Sequence, residues 1–107
     1  MELFKPIASS STNTIVATTA SLSRALPGTG ITAVFYNDGP NVVFVKTGNS
    51  AVIATAPVLS TNAGAAGSLP VPVGQSMPIR LDPVLHTHWA VVGIGAANVY
   101  CSQGEGV

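Results

Sequence analysis

Runs of five to eight apolar or β-branched residues are cut, again and again, by Gly, Pro and Asn. In "ITAVFYNDGPNVVFVKTGNSAVIATA", residues 31–56, Asn-Asp-Gly-Pro ends the first run and Gly-Asn-Ser the second. No window places apolar residues at i, i+3, i+4 and i+7 over three turns, so helices lack the stripe they need. Short runs with period two and turn chemistry between them specify strands. At 107 residues the chain forms one domain. Eight or so short antiparallel strands in that length fit a small all-β sandwich of jelly-roll type.

The strands follow in order. Residues 1–12 read as a flexible arm before a β-sandwich domain spanning 13–107. "NTIVATTA" (13–20) is the first strand, and "SLSRAL" begins another before the Pro27-Gly28-Thr29-Gly30 turn. In 31–37, Ile31, Ala33 and Phe35 share one face. In 41–47, Val43 and Val45 point one way, Val42, Phe44 and Lys46 the other. With "AVIATA" (51–56) these form an expected β-meander, because Asp-Gly favours a tight hairpin. "LSTNAGAAGS" has neither period nor charge and reads as a long surface loop. "LPVPVG" suits an edge strand, since alternating prolines remove N–H groups on one side. "QSMPIRL" (75–81) is a further strand and "DPVLHT" a turn or bend. "HWAVVGIG" (88–95) is a buried strand, paired through "GAA" with the last strand, "ANVYCSQG" (97–104).

Charge limits the function. Charged residues are 7% of the chain, against about 25% in ordinary soluble domains. The eight are Glu2, Lys5, Arg24, Asp38, Lys46, Arg80, Asp82 and Glu105, and they cancel. Four dispersed basic residues are too few to neutralise a run of phosphates, which argues against nucleic-acid binding. A neutral surface keeps molecules apart poorly and suits a chain covered by other subunits. No stretch of 18 apolar residues offers a membrane helix. The start, "MELFKPIASSSTNT", lacks the apolar centre of a signal peptide, pointing to synthesis and assembly in a cytoplasm.

Chemistry-bearing constellations are sparse. His86 and His88 in "LHTHW" would share a face if both lay on a strand, with Asp82 nearest and Asp38 and Glu105 remote. Two imidazoles are short of a zinc site. "GIGAAN" (93–98) lacks the third Gly and the following helix of a dinucleotide loop. No G-x-S-x-G is present. Cys101, the single cysteine, reads as a small buried hydrophobe. The chain is expected to be no enzyme and to need no cofactor. Tyr36 beside Asn37 and Asp38, or Trp89, would be the contacts of a lectin-like module, although Phe35, Phe44 and Trp89 fit a core.

One resemblance sharpens this. Asn37-Asp38-Gly39, Phe44-Val45-Lys46-Thr47-Gly48, Ala54, Pro72-Val73-Gly74 and Gly104-Glu105-Gly106 are similar to the pattern of small tailed-bacteriophage and prophage virion proteins. It runs from Val34 to Val107, about two-thirds of the chain. The resemblance implies a capsid decoration (cement) protein that binds the major capsid protein on the virion exterior as a homotrimer. Head–tail, tail-tube or fibre-base components belong to the same class; a lectin-like or cupin-like module is the alternative outside it. The expected interface is the arm, where Leu3, Phe4 and Ile7 supply apolar contact beside Lys5 and Pro6. A second is the loop around Asn62, Ala63, Gly64, Ala65 and Ala66, small enough to pack at a symmetry axis.

Overall fold

The computed structural model describes residues 5–6, 12–55, 68–82 and 84–105. Nine strands are formed among them: β1 (Lys5–Pro6), β2 (Thr12–Ala17), β3 (Leu22–Ala25), β4 (Thr32–Pro40), β5 (Val43–Gly48), β6 (Leu69–Val71), β7 (Ser76–Arg80), β8 (His88–Gly93) and β9 (Ala97–Glu105). They make two antiparallel sheets. One runs β2-β9-β4-β7, with β1 also along the free side of β9; the other runs β3-β8-β5-β6. Leaving β1 aside, this order is that of the jelly roll, a sandwich of two interlocked Greek keys.

The core is built by alternation. Ala33 and Phe35 on β4 and Ala97, Val99 and Cys101 on β9 face Val43 and Val45 on β5 and Trp89 and Val91 on β8. Trp89 is the largest side chain sealed inside; its ring lies 5.5 Å from that of Phe35, tilted by 46°. Its indole Nε1 donates to Asn13 Oδ1 (3.0 Å), and Asn13 Nδ2 donates to Ala25 O (2.8 Å). Arg24 donates across the same corner to Thr14 O (2.9 Å). Asn13 and Arg24 therefore tie β2 of one sheet to β3 of the other where no ladder joins them. Buried Gln103 works similarly: its Oε1 accepts from Gly28 N and its Nε2 donates to Gly30 O, fixing the turn between β3 and β4. Gly30 has φ 115°, and a Cβ there would strike the Gly104 carbonyl, so only glycine fits.

The expected meander is not formed. β4 pairs with β9 and β7, whereas β5 pairs with β8 and β6 in the facing sheet. Asp38-Gly39-Pro40 is not a hairpin turn. The β4–β9 register shifts between Asn37 and Pro40, as at a bulge, and the chain then crosses to the other sheet. Asn37, fully buried, holds this bend: Oδ1 accepts from Gly39 N (2.8 Å), and Nδ2 donates to Asn41 O (2.8 Å) and Val71 O (2.9 Å). Nor do Ala51–Thr55 form a strand. Both sides of β5 are already occupied, so this segment lies over the outer face of its sheet, where Ala54 packs on Ala90 and Val92 with Phe44 and Val52 alongside. Ala54 N donates to Ser21 Oγ, and Thr55 and Ser68 exchange two bonds. Likewise β8 and β9 are not a hairpin; 94–96 carries the chain between sheets.

Pro70 and Pro78 sit on β6 and β7, each at the outer edge of its sheet. The edge-strand expectation for "LPVPVG" holds for β6. The first strand begins at Thr12 and ends at Ala17, not 13–20. Within the expected arm, Lys5–Pro6 pairs with Gly104 and Glu105 on β9.

Candidate functional site

Two outer faces result, and they differ. The outer face of the four-stranded sheet carries Ala90 and Val92, both buried beneath Ala54. No described segment covers the outer face of the five-stranded sheet. Strand register arranges its side chains in rows that run across the strands. Thr12, Ser102, Val34 and Pro78 form one row, and Thr14, Tyr100, Tyr36 and Ser76 the next. Thr12 Oγ1 and Ser102 Oγ share a hydrogen bond of 2.8 Å. The two tyrosine rings stand side by side, centroids 6.1 Å apart and tilted by 36°. Val16 and Asn98 pair beyond the tyrosine row, with Val16 59% exposed. Among the described side chains of this face, charge occurs at the two ends: exposed Asp38 follows Tyr36 on β4, and exposed Arg80 pairs with Thr32. Tyrosines flanked by small hydroxyl and apolar residues suit protein contact, because each offers a large stiff ring and a polar tip.

A second feature lies at one end of the sandwich. Ile53, Leu85 and Val84 are 66%, 63% and 83% exposed. Ile53 and Leu85 line a shallow groove of about 650 Å³ with Lys46, Asn49 and His86. Val84 and Leu85 lie in a turn organised by Asp82, whose Oδ1 accepts from Val84 N and Leu85 N.

The sequence candidates fall as follows. His86 is not on a strand; it sits in that turn, and its Nδ1 accepts from Asp82 N (3.0 Å). His88 starts β8 and bonds Thr87 Oγ1 through Nδ1. The pair does not share a strand face, and no group of three His, Cys, Asp or Glu that could hold a metal occurs among the described residues. "GIGAAN" spans a bend and a strand start, with Gly93 N donating to Thr18 O. Trp89 is fully buried, so it is no glycan contact. Tyr36 does reach the surface, joined by Tyr100, which the sequence reading left aside. Their 64-residue separation becomes contact through the β4–β9 register alone. Of the expected interface, Lys5 and Pro6 line up beside β9. Leu3, Phe4, Ile7, Asn62, Ala63, Gly64, Ala65 and Ala66 lie outside the described residues.

Cys101 points into the core at 0% exposure, and desolvation pushes its thiol up to about 12. The thiolate is the reactive form, so a neutral aromatic disulfide reagent at pH 8 should leave native protein unlabelled. One equivalent should react promptly in denaturant; rapid labelling of native protein would mean that β9 opens.

Comparison with family models, with curated proteins and with solved structures finds no match.

Proposed function

We propose that this chain is a structural, non-enzymatic subunit of a tailed-phage virion, an oligomeric decoration protein that binds the major capsid protein on the outside of the head. The observation that carries the reading is the broad tyrosine-bearing face of the five-stranded sheet, free of charge among its described residues except at the ends, opposite a face whose centre, at Ala90 and Val92, lies beneath Ala54. A charge-poor chain gains little from leaving such a face in water. The sequence resemblance supplies the virion context, and the jelly roll is an architecture that capsid domains use. The arm is the proposed shell-binding element. Of this arm, Lys5–Pro6 pairs with Glu105 and Gly104 of β9 in the same sheet, which supports the reading.

The test is particle binding. Purified particles should contain the chain in stoichiometric copies. Adding it to particles that lack it should raise the temperature at which they release their genome. A chain absent from particles and unable to bind them would end this reading. Labelling at the tail would move it to the head–tail or tail class. Binding of a glycan through Tyr36 and Tyr100 by the isolated domain would replace it with a lectin.

A further inference from the structure

We infer that the outer face of the five-stranded sheet binds a second copy of this chain, face to face, about a two-fold axis. The axis lies in the interface and runs across the strands, between the Val34 row and the Tyr36 row. This names the partner of the face described above and rests on the assembly reading only in that the face is covered.

Two features of the face are antisymmetric about that line. The first is charge. Arg80 lies at one end, paired with Thr32, and Asp38 at the other, six residues further along β4. At about 3.3 Å per residue they are about 20 Å apart along the strands. Rotation about the axis sets Arg80 of each copy over Asp38 of the other, so the contact carries two ion pairs and no like-charge clash. The second is bulk. The Tyr36–Tyr100 row of one copy falls on the Val34–Ser102 row of the other, large over small, at both positions. A face made for an unrelated protein has no reason to match its own reverse. A two-fold contact requires it, because the same patch must serve both subunits.

The footprint is modest. Four strands about 4.8 Å apart over about 20 Å give about 400 Å² of plane per copy, about 800 Å² for the pair, which is below the about 1,000 Å² of a stable interface and makes this a weak contact. The dimer is therefore expected at micromolar rather than nanomolar concentration.

Sedimentation of the full chain from about 1 µM to 1 mM reads this directly. A monomer–dimer equilibrium is expected. Asp38→Arg alone and Arg80→Asp alone should each weaken the dimer about tenfold, since each sets two like-charge pairs face to face. The double reversal D38R/R80D should return it to within about threefold of the parent, a coupling that independent sites do not show. Val34→Lys, under the partner's tyrosines, should abolish it. All three positions are surface side chains, and circular dichroism checks that each variant is folded. A monomer at 1 mM, a trimer, or a dimer that none of the changes weakens overturns the inference. Particle binding is scored separately: a dimer that binds no particle counts against the virion reading, and a monomer that binds particles counts against the dimer.

Discussion

Asn37→Asp is expected to remove a large part of the protein's stability at pH 8 and to recover much of the loss on acidification. The amide at this fully buried position donates to Asn41 O and Val71 O while its oxygen accepts from Gly39 N. A carboxylate keeps the last bond and turns acceptors towards two carbonyls. An uncompensated buried charge costs about 3–5 kcal/mol, a large part of the about 5–15 kcal/mol that holds a domain. Protonation supplies one O–H to one of the carbonyls. The variant's carboxyl is thus held above its unfolded value of about 3.9 by desolvation and by the carbonyls facing it. The sign follows: the penalty is small below the unfolded value and grows as pH rises through and beyond it. Urea midpoints of variant and parent at pH 4 and pH 8 measure it, and the gap between them should be wide at pH 8 and narrow at pH 4. Equal midpoints at pH 8 would show that Asn37 does not hold β4 to β6.

Trp89→Ala should be nearly as severe, costing about 3–5 kcal/mol. It empties the centre of the sandwich and removes the ring against Phe35. Trp89→Phe separates packing from polarity. It keeps most of the apolar volume but leaves Asn13 Oδ1 without the indole N–H, a loss of about 1–3 kcal/mol. The expected order of urea midpoints is parent, Trp89→Phe, Trp89→Ala, followed by circular dichroism because Trp89 is the only tryptophan. A Trp89→Phe protein as stable as the parent would mean that the Asn13 bridge is replaced by water.

The same residues show what the sequence discloses. Val43 and Val45 against Phe44 and Lys46 betray one buried face, because a strand's period is a local property. The count of strands and the sandwich follow from such runs and the turns between them. Partners do not. Asn37-Asp38-Gly39-Pro40 carries the chemistry of a hairpin turn, yet that chemistry reports only that the chain bends. Whether it returns in its own sheet or crosses to the facing one depends on Asn37 finding Val71 O, 34 residues away. "AVIATA" reads as a strand because it is an apolar run between turn signals, but Ala54 meets Ala90 and Val92 instead of a ladder, because β8 and β6 reach β5 first. The tyrosine pair was invisible for a related reason: Tyr36 was legible as exposed, and Tyr100 is its neighbour only once β9 is in register. Cys101 read as a small buried hydrophobe because a lone cysteine is among the most buried residue types, and it is fully buried on β9.

The prolines at the rims of the two sheets, Pro70 on β6 and Pro78 on β7, have a consequence for growth. Each withholds an N–H and sets a ring where an incoming strand would dock. At the far rim of the smaller sheet, β3 is engaged by Asn13. Sideways addition of a further strand is thereby obstructed at the β6 and β7 rims. On the dimer inferred above, a second copy meets the chain broadside through one face only, and a two-fold contact of that kind closes on itself.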